Sequence, residues 1–337
     1  MSRSQLTSTV EQNTGGAVAP FVAGKNKIIN GDFGVWQRGT SFSGGTYTSD
    51  RWYNNYDGTG STRTISQQIF TPGTAPVAGY EGTYFYRFNQ SVAGISGTYN
   101  NFCVQAIEDV RVFANQTVTL SFWAKSDATR TITPYAIQNF GSSGSSNVVT
   151  TGTAITTSTS WTRYTQTISI PSVSGKTIGT SSCLLIALGA ANNIVQTIDI
   201  WGVQLEAGSV ATPFTTATGT LSGELAACQR YYQKWIGADL YQNFALGMGT
   251  SSTVVQIFVP SLVAFRSNPS SIDVNTLSIQ VGNGTAYQGG TFAIWQSSPN
   301  VTAIRYTHTS GVFTLGTSYY LQGYNNTGSY LGISAEL

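Results

Sequence analysis

The chain has 337 residues, 40% of them hydrophobic and only 9% charged, with a formal net charge of +2. That length suits two domains, each able to bury its own core. The 16 basic residues are scattered, which leaves no electrostatic track for nucleic acid, and the longest apolar run, Cys183 to Ala191, is too short for membrane insertion.

With so few charges, solubility rests on Ser, Thr, Asn, Gln and Gly, a surface that suits extracellular β-proteins and the hydrogen bonding of sugars. Residues 1–27 are rich in Gly, Thr and Ser and poor in apolar side chains, so they read as an extended attachment arm. The run MSRSQLTSTVEQNTGG has no apolar signal core, and synthesis in a cytoplasm without Sec export is expected.

Residues 28–216 read as one β-domain, opened by a strand at IINGDFGVWQRG (28–39) and closed by one at IDIWGVQLEAGSVATPF (198–214). Short β-branched or alternating runs lie between them, separated by Gly, Ser, Asn and Pro clusters. In TVTLSFWA, Val118, Leu120, Phe122 and Ala124 share one face, while Thr117, Thr119, Ser121 and Trp123 share the other. Pro134 marks its strand as an edge or a bulge. Strands at this spacing, with no long helical period between them, predict a β-sandwich.

Residues 217–236 predict a helical linker, capped by Ser222, with Glu224 in its first turn and Gly237 ending it. Leu225, Cys228, Tyr232 and Trp235 fall at steps of three, four and three along one stripe. A helix of about 14 residues is too short to stand alone. The stripe must therefore dock on a sandwich of the same chain or on its own copies around a threefold axis. Residues 237–337 return to β-patterning, enough for a second sandwich, and no solenoid period is visible.

Few residues offer catalytic chemistry. Paired-carboxylate hydrolysis needs two acids about 5 to 10 Å apart. Glu108 and Asp109 are adjacent and would face opposite ways in a strand, and Asp199 and Glu206 have opposite parity. His308 has no Cys or acidic neighbour at ligand spacing, and the GSSG run at 141–144 lacks the Lys and helix of a phosphate loop. Cys103, Cys183 and Cys228, without a CxxC pair, read as buried small hydrophobes.

The stronger signal is aromatic: 18 Tyr, 16 Phe and 7 Trp. Tyr and Trp join a flat apolar body to a polar tip, suited to stacking on the C–H face of a sugar. Trp52, Tyr53 and Tyr56 cluster in DRWYNNYDG, Trp123 lies on the polar parity of its strand, and Tyr287, Trp295, Tyr306 and Tyr320 recur among amides near the C-terminus. These are the candidate glycan-contacting rings. For each one the alternative is core packing.

Two stretches resemble known families. IINGDFGVWQRG is similar to the opening strand of jelly-roll carbohydrate-binding modules, where an Asn-Gly-Asp-Phe turn leads to an outward aromatic. ELAACQRYYQKW (224–235), VPSLVAFRSNP (259–269) and YLGISAEL (330–337) resemble tail fibre and virion surface proteins of tailed bacteriophages.

The resemblance implies an all-β chain with an N-terminal arm, a jelly-roll sandwich, one short helix and a distal C-terminal sandwich. It also implies a non-enzymatic virion protein that forms a homotrimer through Leu225, Cys228, Tyr232 and Trp235. The arm would attach to other tail or head proteins, and the body would bind host surface glycan. Jelly-roll modules often hold a structural calcium, which by this resemblance places Asp32 and Asp199 as ligands; Gly34, where an acid commonly stands, departs from that pattern. A leaderless chain with free thiols and an extracellular composition fits a particle released by lysis. Two rivals are a purely structural virion decoration and a surface-glycan hydrolase.

Overall fold

The computed structural model describes residues 24–77, 80–97, 100–282 and 284–337. The described residues are almost entirely β, in two clusters of sheets with one short helix between them. The first cluster begins with β1 (Ser41–Ser43), β2 (Trp52–Tyr56), β3 (Thr62–Ile69), β4 (Tyr84–Val92), β5 (Asn100–Glu108) and β6 (Gln116–Ser126). It continues through β7 (Arg130–Asn139), β8 (Val148–Thr151), β9 (Ile155–Thr157), β10 (Thr162–Ile170), β11 (Cys183–Ala190) and β12 (Gln196–Ala207). One sheet runs β1-β3-β4-β12-β6-β10; the other runs β2-β5-β11-β7-β8, with β9 also on β7.

The core lies between these sheets, and Val118, Leu120, Phe122 and Ala124 of β6 are fully buried in it, as their alternation predicts. Pro134 pairs with Leu188 of β11 on one side. On the other it falls in the gap between the stretches that pair with β8 and β9, where no ladder N–H is required.

Three expectations are corrected. Residues 28–39 are turns and irregular chain, not a strand. Asn30 and Phe33 sit in the left-handed region at φ 56° and 55°, which breaks a ladder. The Asn30 side chain supplies bonds in its place: its oxygen accepts from Val35 N, and its amide donates to Val35 O, Ser49 Oγ and Asp50 O. Gly31 lies so close to β12 that a Cβ there would be 2.2 Å from Val203 O.

The fold also reaches back before Ile28. Buried Asn26 accepts from Ile28 N and Leu205 N and donates to Val203 O and Thr215 O. Residues 1–23 of the expected arm lie outside the described residues.

The helix, α1 (Leu221–Gln229), is nine residues long, capped by Thr220 accepting from Gly223 N. The expected helical stripe breaks after Cys228, because Tyr232 to Ile236 pair with the last strand of the chain. Glu224 does more than favour the helix terminus: it accepts from Asn30 N at 2.6 Å and Thr218 N at 2.7 Å, tying the helix to the opening turn.

The second cluster comprises β13 (Tyr232–Ile236), β14 (Asn243–Gly249), β15 (Val254–Pro260), β16 (Ser271–Asn275) and β17 (Leu277–Val281). It ends with β18 (Ala286–Tyr287), β19 (Thr291–Ser297), β20 (Val301–Thr307), β21 (Ser318–Gly323) and β22 (Tyr330–Ser334). A three-stranded sheet β13-β22-β16 accompanies a seven-stranded sheet β18-β17-β21-β14-β15-β20-β19 over a shared apolar core.

A buried cluster of charges joins the two parts. Arg38 bonds Asp50 at 3.3 Å and lies 3.3 Å from Glu336, while Arg51 bonds Glu336 and Ala106 O. The Arg51 guanidinium stacks 3.4 Å over Tyr231 and that of Arg38 3.7 Å over Tyr232. Glu336→Gln leaves two guanidinium groups short of a counter-charge and is expected to lower stability by about 3–5 kcal/mol in urea unfolding. A loss under 1 kcal/mol would show that the cluster is solvated in solution.

Burial pushes the Asp50 carboxyl up to about 6, against the opposing pull of Arg38. The folded chain therefore binds this proton more tightly than the unfolded chain does. Its contribution is complete below the ordinary value near 3.8 and is lost as pH rises through 6. Across that window the wild type is expected to fall relative to Asp50→Asn by roughly 1.4 kcal/mol per pH unit. Parallel stability profiles for the two proteins would refute the assignment.

Candidate functional site

A cleft of about 730 Å³ opens beside β2, lined by Gly45, Thr46, Tyr47, Tyr53, Asn54, Asn55 and Tyr56. Three features place its rings. Tyr47 comes from the loop after β1, with its hydroxyl donating to Leu337 O at 3.1 Å and its ring 5.3 Å from that of Tyr53. A register shift between Tyr53 and Asn55 then re-aims the side chains of β2 at the sheet edge. Arg63 stacks 3.6 Å over the Tyr56 ring, fixing that wall.

Tyr53 begins a cross-strand row that runs through the buried Val104 and Ala187 to Tyr135. Burial pushes the Tyr53 hydroxyl up to about 12, so it stays a neutral donor and acceptor.

The polar groups are amides. Asn54 is 7% exposed, and its buried Nδ2 has no hydrogen-bond partner. Asn101, opposite Asn55, has a buried Oδ1 that is likewise unpartnered. Asn54 stands on the edge strand β2, and Asn101 on its inner neighbour β5 beside Gly189 of β11. An unpaired buried polar group costs about 1–3 kcal/mol.

The candidate rings fare unequally. Tyr53 and Tyr56 line the cleft, but Trp52 faces the core, donating Nε1–H to Asn30 O. Trp123 is also corrected. Its face of the sheet carries a second aromatic layer, in which Trp123 packs with Trp201, Phe214, Phe70 and Phe85. Alternation told which face it occupies, but segments following β3 and β12 cover that face.

Tyr306 is 1% exposed, its hydroxyl accepting from Gly290 N and donating to Tyr287 O. Tyr287 packs on Phe313, and Tyr320 is half-buried opposite Leu246. Trp295 is exposed. Among the lining side chains, sequence reasoning did not single out Tyr47, Asn54 and Asn55. Asn54 and Asn55 lie within the ring-and-amide run DRWYNNYDG, and Tyr47 lies just before it.

Asp32 and Asp199 do not fit a shared calcium site. Arg87 holds both Asp199 oxygens at 2.7 and 2.8 Å, with Lys125 3.7 Å away. Asp32 accepts from Tyr80 instead. Among the described residues no three His, Cys, Asp or Glu side chains group to hold a metal ion. The other acids flagged by the sequence are engaged: Glu206 with Thr212, Gln204 and Lys25, Glu108 with Tyr231 and Arg266, and Asp109 with Arg111.

The four stripe residues do not form a shared surface either. Cys228 and Tyr232 are buried within the chain, Trp235 packs against the second core, and only Leu225 is exposed. The three cysteines are free and buried, as expected. Among the described residues no helix is long and apolar enough to cross a membrane.

No family model and no curated protein matches this chain. Among solved structures, a putative sugar binding protein from Bacteroides thetaiotaomicron VPI-5482 is similar at 14% identity and a TM-score of 0.36, over 55% of this chain and all of that one. A family 11 carbohydrate-binding module from Clostridium thermocellum is similar at 16% identity and 0.33, over 57% of this chain and 99% of that one. The enzymatically active domain of bacteriophage CBA120 tailspike protein 4 is similar at 18% identity and 0.35; the match spans 55% of this chain and 22% of that one. Likeness at this level assigns no residue a role.

The buried position of Trp123 has a measurable consequence. Trp123→Ala removes a ring packed against Trp201 and Phe214 and is expected to cost about 3–5 kcal/mol in urea unfolding. An unchanged midpoint would return Trp123 to the surface and to the candidate glycan rings.

Proposed function

We propose that this chain is a non-enzymatic adhesion protein that binds neutral saccharides in the Tyr47–Tyr53–Tyr56 cleft. The observation that carries this reading is the pairing of three tyrosine rings with the amide side chains Asn54 and Asn55, in a cleft lined by no charged side chain. A sugar ring stacks its C–H face on tyrosine, and its hydroxyls meet the amide side chains of Asn54 and Asn55 on the cleft wall. One such site is weak. The sequence resemblance to phage fibres supports a setting in which a homotrimer, repeated in a virion, sums weak contacts into firm attachment to host surface glycan.

The test is binding of the full chain to an array of neutral and charged glycans, followed by titration of the best neutral hit. Tyr53→Ala and Asn54→Ala are expected to lower its affinity tenfold or more while leaving the far-ultraviolet circular dichroism unchanged. If no neutral glycan binds, or if both variants bind as the wild type does, the reading is wrong and a structural role in the particle replaces it.

A further inference from the structure

The outer face of the seven-stranded sheet carries a second constellation of different chemistry. Cross-strand rows align Met248, Gln256, Arg305 and Ala293, and beside them Phe258, Ala303 and Gln296. Leu246, Met248, Phe258 and Trp295 are each about half exposed there. The seven strands hold a single charged side chain, Arg305, and no carboxylate.

Its guanidinium lies 3.3 Å from the centre of the Trp295 ring. Among the described residues it has no carboxylate or hydrogen-bond partner, and its Nε is buried and unpartnered. A register shift between Ile294 and Gln296 places Trp295 at a bulge, a device that re-aims a side chain. Trp295 borders a depression of about 630 Å³ whose rim includes Asn268, Gln296 and Phe258.

A cation kept unpaired on an otherwise apolar face fits a ligand that brings an anion and an apolar surface together. Guanidinium is a planar fork matched to carboxylate, and a tryptophan edge or face accepts the C–H surface of a sugar. A neutral sugar would gain nothing from Arg305, and an isolated phosphate would leave the Trp295 surface unused. A second copy docking by twofold symmetry about this row would bring Arg305 towards its own mate.

We propose that Trp295 and Arg305 form a second saccharide site, separate from the cleft beside β2, that takes an acidic sugar with its carboxylate on Arg305 and its ring on Trp295. The site depends on no property of the first cleft.

The experiment uses the full chain carrying Tyr53→Ala, so that the first cleft does not contribute. Binding of tetragalacturonate and of a neutral galactose tetrasaccharide is measured by calorimetry at two salt concentrations. The acidic probe is expected to bind at least tenfold more tightly, with affinity falling as salt rises. Adding Arg305→Gln or Trp295→Ala is expected to lower that affinity tenfold or more without shifting the melting temperature, and Arg305→Lys is expected to lie between. Absence of saturable acidic binding, or wild-type affinity in Arg305→Gln, overturns the proposal. So does self-association seen by light scattering that Trp295→Ala abolishes, because the face is then an interface between copies. Aggregation of Arg305→Gln with affinity retained would likewise overturn it, leaving Arg305 as a charge that keeps the sheet face soluble.

Discussion

The buried set of Arg38, Asp50, Arg51 and Glu336 is the constraint on which the joint between the two sheet clusters rests. Taking charges out of water is costly unless partners and hydrogen bonds replace the lost hydration. Here two acids, two bases and the stacked rings of Tyr231 and Tyr232 supply that replacement. The arrangement reaches the candidate site directly. Glu336 is anchored in the cluster, and the next residue, Leu337, accepts the hydrogen bond of Tyr47. One wall of the cleft on the first cluster is thus held by the last residue of the second.

Amides perform two distinct tasks in this chain, and their hydrogen-bond accounts tell them apart. Asn26 and Asn30 are saturated by backbone groups and the Ser49 hydroxyl and take the place of an opening strand. Asn54 is buried and Asn101 half-buried, and each keeps one enclosed polar atom without a partner. The first kind adds rigidity because every group is matched, and the second kind leaves a polar atom unpaired inside the protein. Burial alone would not separate them.

The cleft beside β2 and the Trp295–Arg305 face share a design in which rings are positioned by sheet edges and bulges. Strand-borne side chains are held more firmly than loop-borne ones, so stacking surfaces lose little freedom on binding. They differ in charge: the side chains lining one are neutral, and the other carries the lone cation of its sheet. That difference is why the two proposals assign them different saccharides.

Much of the fold was legible in local pattern. The alternation of β6 identified its core face, the run of short β-branched segments identified two sandwiches, and the sparse cysteines were recognised as buried thiols. The ring-and-amide run at 52–56 marked the cleft, although Trp52 turns inward. Period-two patterning assigns a side chain to a face, but it does not say whether another layer covers that face, and so Trp123 was misplaced. The stripe from Leu225 to Trp235 had helical spacing, yet β22 captures Tyr232 to Ile236 because a ladder with a distant strand outweighs weak local helix propensity. Contacts such as Arg51–Glu336 and Tyr47–Leu337 span 285 and 290 residues. The sequence by itself determined which segments form strands and which polar and aromatic groups were available. Only the tertiary structure decided which were buried, paired or left open, because burial and pairing depend on neighbours brought together from far along the chain.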